Sequence, residues 1–120
     1  MLTEKDYCDY DTCVALKELG FKQPVDWYFD EGKNIVSLYA RYRNTFVPRI
    51  SLYEAQKFLR GKKKLHITIY SQSQESWQYR ITKPHQKLED GLHGEDFPTY
   101  ENALLQAIRT CIKIYEQNVD

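Results

Sequence analysis

Val36-Ser37-Leu38-Tyr39-Ala40-Arg41-Tyr42 is the stretch on which the fold reading turns. Val36, Leu38 and Ala40 alternate with Ser37, Tyr39 and Arg41, the period of a strand with one buried and one wet face. Tyr42 continues the inward row and Arg43 the outward one. Upstream, Val25, Trp27 and Phe29 alternate with Asp26, Tyr28 and Asp30. Asp30-Glu31-Gly32-Lys33-Asn34 between them has turn composition, so the two runs read as a hairpin. Pro48 lacks an N–H and is expected to interrupt any further pairing.

A second strand pair lies further along. Leu65, Ile67 and Ile69 alternate with His66, Thr68 and Tyr70. After a polar turn from Ser71 to Ser76, Trp77, Tyr79 and Ile81 alternate with Gln78, Arg80 and Thr82.

Three helical patterns surround these strands. The first runs from Asp9, a side chain able to cap free N–H groups, to Leu19. Gly20 suits the left-handed position after the last turn, with Phe21 folding back onto it. The second opens with Ser51 and Glu54, the S-x-x-E capping box, and carries Leu52, Ala55, Phe58 and Leu59 on one stripe. Gly61 is expected to end it. The third begins at Thr99 and presents Leu104, Ala107, Ile108, Cys111, Ile112 and Tyr115 on one side. From Lys83 to Pro98 periodicity is lost, and Pro84, Gly91, Gly94 and four acids predict a long, flexible, exposed loop.

The order is therefore α-β-β-α-β-β-α. Sequential strands with short links favour antiparallel hairpins, and three amphipathic helices need an apolar sheet face to cover. The prediction is an α+β fold, a two-layer α/β sandwich with an antiparallel sheet and helices packed on one face. The length of 120 residues fits a single domain spanning 1–120.

Composition narrows the function classes. Lys plus Arg and Asp plus Glu are 17 each, so bulk positive charge cannot drive nucleic-acid binding. Hydrophobic residues at 42% are too many for a disordered chain. Glu4, Asp6 and Asp9 stand where a secretory signal would need an apolar run, and no stretch approaches the roughly 20 apolar residues of a membrane span. A cytoplasmic location without membrane contact is expected. Cys8, Cys13 and Cys111 are an odd set, so they cannot form a complete disulfide framework. Cys13 and Cys111 read as small buried hydrophobes.

The outward row of the predicted sheet is the candidate binding face: Tyr28, Tyr39, Arg41, Arg43, His66, Tyr70 and Arg80, with Thr68, Gln78 and Thr82 among them. Tyr and Arg are favoured at protein interfaces, and a homodimer would bury Tyr39 and Tyr70 twice. Tyrosine rings and arginine planes can also stack on the bases of single-stranded nucleic acid, with Lys62, Lys63 and Lys64 extending the positive zone. The plain alternative is an ordinary solvated face, since Tyr and Thr suit strands on their own account.

Ser71, Ser73 and Ser76 lie outside any nucleophile-elbow pattern, and no glycine-rich phosphate loop or dinucleotide fingerprint occurs. His85 and His93 share a polar loop with Glu89, Asp90, Glu95 and Asp96, but their spacing matches no metal-ligand signature. The expectation is a non-catalytic binding domain with no cofactor and no metal. Its partner would be a protein or a second copy of the chain, and single-stranded nucleic acid is the alternative.

Three segments carry a resemblance: Tyr10 to Phe21 ending in Leu19-Gly20-Phe21, the run from Ser51 to Arg60, and Phe97-Pro98-Thr99-Tyr100-Glu101-Asn102-Ala103-Leu104. Together they resemble a group of small proteins from gut Bacteroides-type bacteria, their phages and mobile elements. Phe58 stands where that group has Trp, and Ile50-Ser51 where it has Pro-Thr. The resemblance implies a fold and a phage or mobile-element setting, and no activity.

Overall fold

A computed structural model describes residues 2–37, 45–83 and 96–117. The chain folds as two compact units, Met1–Ser51 and Leu52–Asp120. The α+β class and the antiparallel pairing are as predicted. The strands, however, divide into a three-stranded and a two-stranded sheet instead of sharing one. Leu38 to Arg43, on which the first reading turned, lies outside the described residues, as do His85, His93, Glu89, Asp90 and Glu95.

In the first unit a short 3-10 turn, Glu4–Asp6, precedes helix α1, Tyr10–Glu18. Asp9 caps α1 as expected. One carboxylate oxygen accepts the Thr12 N–H at 3.2 Å and the other accepts the Thr12 hydroxyl at 2.6 Å. At the far end the Phe21 N–H donates to Leu16 O and the Gly20 N–H to Lys17 O, both at 3.0 Å. This paired closure requires positive φ at the residue after the cap, and Gly20 supplies it at +110°. Phe21 is thereby turned inward and buried, as are Cys13 and Leu16.

The first sheet has the order β2-β1-β3, with β1 at Trp27–Phe29, β2 at Ile35–Ser37 and β3 at Val47–Pro48. The β1–β2 turn closes on Asp30, whose Oδ1 accepts the N–H groups of Gly32 and Asn34 at 2.9 Å each. Pro48 does not stop pairing; it lies opposite Tyr28 in β3, an edge strand where its missing N–H costs no ladder bond on the outer side. The face assignment of β1 also needs correction. Tyr28, expected outward, is only 7% exposed, and Trp27, expected inward, is 44% exposed. β1 is the central strand, and such a strand can be covered on both faces. The Tyr10 ring packs edge-on against Phe29 at 5.3 Å, covering one end of a three-residue strand and leaving Trp27 at the other end.

In the second unit α2 spans Leu52–Lys62 and buries the predicted stripe of Leu52, Ala55, Phe58 and Leu59. It does not end at Gly61. The Lys63 and Leu65 N–H groups both return to Leu59 O, at 3.1 and 3.0 Å, and Lys64 takes the left-handed conformation at φ 61°. Strands β4, His66–Ser73, and β5, Ser76–Thr82, then form an antiparallel ribbon. The turn is tighter than predicted: Ser73 pairs with Ser76, with a register irregularity between Ser71 and Ser73.

Helix α3, Tyr100–Gln117, is capped by Thr99, whose Oγ1 accepts the Asn102 N–H at 3.1 Å. It packs on both strands of the ribbon and on α2. Ala103, Leu104, Ala107, Ile108, Cys111 and Ile112 are buried along it. Among the described residues of the ribbon, Ile67, Tyr79 and Ile81 are buried. The Tyr79 hydroxyl lies 2.9 Å from Thr110 Oγ1, which itself donates to Gln106 O at 2.9 Å. The one polar atom of that buried ring is thus satisfied.

Two glycine-to-alanine changes should move stability in opposite directions. Gly20→Ala should cost about 1 kcal/mol or more, because φ +110° is strained for any residue with a Cβ. Gly61→Ala should gain about 0.5 kcal/mol, since an added Cβ meets nothing within 4 Å and alanine is the better helix former. Urea unfolding midpoints of the two variants measure both signs.

Candidate binding face

The register of the second sheet sorts its side chains. His66 faces Thr82, Thr68 faces Arg80, and Tyr70 faces Gln78. These three cross-strand pairs share the side of the ribbon opposite Ile67, Ile81 and Tyr79, because successive residues alternate faces. Thr68, Arg80 and Thr82 are exposed; His66, Tyr70 and Gln78 are half-buried. The structure therefore brings together His66, Tyr70 and Arg80 of the predicted face, with Thr68, Gln78 and Thr82. It removes Tyr28, which is buried in β1 of the other unit. Tyr39, Arg41 and Arg43 lie outside the described residues.

The turn end of this face is held by a chain of hydrogen bonds. The Tyr70 hydroxyl donates to Gln78 Oε1 at 3.0 Å, and Gln78 Nε2 donates to Asp96 Oδ1 at 2.7 Å. The Arg80 guanidinium carbon lies 5.8 Å from the Tyr70 ring centre, within cation–π range. Each side chain is thus restrained by a neighbour before any partner arrives, which lowers the ordering cost of binding.

Asp96 belongs to this chain, and sequence reasoning missed it. In the sequence it is one of four acids in the stretch from Lys83 to Pro98, and nothing local marks it apart. What brings it to the face is Phe97, at the end of that predicted loop. Its N–H and C=O exchange two hydrogen bonds with Trp77, at 3.0 and 2.9 Å. The pairing extends β5 sideways by one residue and sets Asp96 beside Gln78. The Tyr100 ring meets Trp77 edge-on at 5.6 Å, which ties the same junction to the start of α3.

The lysine run is less uniform than its sequence. Lys62 and Lys64 are exposed. Lys63 turns to Tyr115, its ammonium 4.3 Å from the ring centre and donating to the hydroxyl at 3.2 Å. Elsewhere Trp27, Ile35 and Tyr53 are large apolar or aromatic residues left exposed, and the alternation pattern does not mark them. Among the described residues, no group of three or more His, Cys, Asp and Glu side chains could hold a metal ion. No described helix is long and apolar enough to cross a membrane.

The Asp96 carboxyl is held below its ordinary value of 3.8, first by the Gln78 amide and then by Ser76. A depressed carboxyl favours the folded state above the ordinary value and loses that contribution as pH falls through the lowered one. Carboxyl titration by NMR should therefore place Asp96 below 3.8 in the folded chain, and Gln78→Ala should return it towards 3.8. Comparison of the chain with protein-family models, with curated proteins and with solved structures returns no match.

Proposed function

We propose that the protein is a non-catalytic binding domain that associates with protein through the outer face of the β4–β5 ribbon, a second copy of the chain being the partner the face fits best. The observation that carries this reading is the Tyr70–Gln78–Asp96 chain beside Arg80. It is a restrained, aromatic and doubly charged surface, with its acid at the turn end and its cation one row nearer the base. A twofold axis across the strands, between the Arg80 and Tyr70 rows, would set each Arg80 towards the partner copy's turn end. Opposite charges would then meet reciprocally, as an isologous contact requires.

The size of the face sets the expected strength. A ribbon of about seven residues is roughly 23 Å long and about 10 Å wide, or roughly 230 Å² of flat face, from strand rise and spacing. That is well under the roughly 800 Å² per partner of a standard stable interface. Association through this face alone is therefore weak and concentration-dependent. Engagement of the hydroxyl and amide with one another stiffens a contact surface and activates no nucleophile, which supports binding over catalysis. Buried free thiols at Cys8, Cys13 and Cys111 suit a reducing compartment, so the reading places the domain in the cytoplasm. The phage or mobile-element setting rests on the resemblance in the sequence.

Sedimentation equilibrium over a concentration series up to the high micromolar range tests the reading. The expected result is reversible dimerisation that weakens with added salt and is lost in Tyr70→Ala and in Arg80→Glu. A chain that stays monomeric throughout, or that dimerises equally well in both variants, overturns self-association. If the monomer binds short single-stranded oligonucleotides in a salt-sensitive manner through the same two residues, the face belongs to nucleic acid instead.

A further inference from the structure

Cys8 and Cys13 are the most chemically suggestive pair outside the candidate face. Asp9 is the cap of α1, so Cys8 is the residue before the cap and Cys13 the fourth residue of the helix. Capped helices bring these two positions together; an apolar pair there commonly fixes the angle at which the chain enters the helix. Here both are cysteines, both are buried, and both are thiols. The Cys13 sulfur donates to Cys8 O at 3.7 Å and accepts the Ile50 N–H at 3.4 Å. The Cys8 side chain is the foremost group drawing the Cys13 thiol below its ordinary value. Two buried thiols five residues apart, at the two positions a capped helix juxtaposes and with the Cys13 sulfur 3.7 Å from the Cys8 carbonyl oxygen, make up a dithiol pair.

We propose that Cys8 and Cys13 form a redox pair that closes to an intrachain disulfide when the protein meets a low-molecular-weight disulfide such as oxidised glutathione. The Cys13 thiolate attacks one glutathione sulfur, an S–S bond forms between them, and one glutathione thiolate leaves. The Cys8 thiolate then attacks the Cys13 sulfur, forms the Cys8–Cys13 bond and expels the second glutathione. Two electrons pass from the dithiol to glutathione, and the two cysteine protons leave to solvent or to the released thiolates.

The surroundings favour Cys13 as the first nucleophile. Its thiol is pulled below the ordinary value of 9.0, foremost by the Cys8 side chain and further by the Ile50 N–H and by Arg49, against burial and Asp9. Burial pushes the Cys111 thiol up to about 12. The same chain thus holds one activated thiol and one suppressed one, the second serving as an internal control.

Access to the buried pair runs through the N-terminal strap. Residues 2–5 are exposed, and the strap is held by the Tyr7–Ser51 bridge and by the Cys8 N–H on Ile50 O at 2.9 Å. A short terminal segment that lies at the edge of the fold opens locally without unfolding the sheet. Closure to a disulfide would lock the strap to α1 and end the S–H donation to Cys8 O. The Ile50 amide, 3.4 Å from the Cys13 sulfur, would report the change.

The test incubates the folded chain with oxidised glutathione across a range of glutathione ratios. Free thiols are counted, the mass is measured, and the Ile50 amide is followed by NMR. The expected result is a fall from three free thiols to one, a mass lower by two hydrogens with no glutathione retained, and a shifted Ile50 amide. Cys111→Ser should close the same bond. Cys8→Ser should instead stop at the glutathione adduct on Cys13. Three thiols persisting until denaturant is added, or an adduct in the unaltered chain that never resolves, would overturn the redox pair and leave the two sulfurs as packing alone.

Discussion

The pairing of Ile67 with Ile81 and of Ile69 with Tyr79 is the constraint on which the second unit depends. Side chains of a strand alternate strictly, so a slip of one residue would turn Ile67, Tyr79 and Ile81 to water and bring His66 and Arg80 against α3. Burying one large apolar side chain stabilises by about 1.5–3 kcal/mol, so losing three costs on the order of 5–9 kcal/mol. That is comparable to the whole stability of a small domain, about 5–15 kcal/mol. The register cannot drift while α3 stays in place. The outer face follows as a geometric consequence: whatever sits one residue away from the core row must point outward.

The first unit is organised differently. Its strands are two or three residues long, so few ladder bonds hold each one. Side chains and terminal segments supply much of the rest. Lys17 reaches the Phe46 carbonyl from α1 at 2.9 Å, Asp30 closes the β1–β2 turn, and the N-terminal strap pairs beside Ile50 and Ser51. The Arg49 guanidinium lies 4.0 Å from the centre of the Tyr7 ring, adding a cation–π contact to the strap. A unit built in this way has parts that open separately, which is the setting in which a buried dithiol can still exchange.

Helix ends show how far local chemistry reaches. Asp9, Thr99 and Gly20 act as their residue types predict, because capping and left-handed closure involve atoms only two to five residues apart. Gly61 does not, although it has the right type. The helix there continues one residue further, to Lys62, and the chain bends at Lys64, so that Leu65 is buried at the start of the ribbon. Placement of Leu65 outranks the modest cost of a lysine at positive φ, about 1–2 kcal/mol.

By itself the sequence determined what depends on spacing along the chain: the three helices with their buried stripes, the caps at Asp9 and Thr99 and the closure at Gly20, the antiparallel hairpins, the α+β class, and the inner and outer rows of the β4–β5 ribbon. Alternation states which residues share a face; it does not state how many faces a strand will have covered. Only the tertiary structure decided that β1 is central, which buries Tyr28 and leaves Trp27 outside, and that Pro48 occupies an edge. It also decided that Phe97 pairs with Trp77 and carries Asp96 to Gln78, across eighteen residues of chain. These are contacts between distant segments. Their free energy resides in surfaces that exist only once both partners have folded, so no local pattern of residues encodes them.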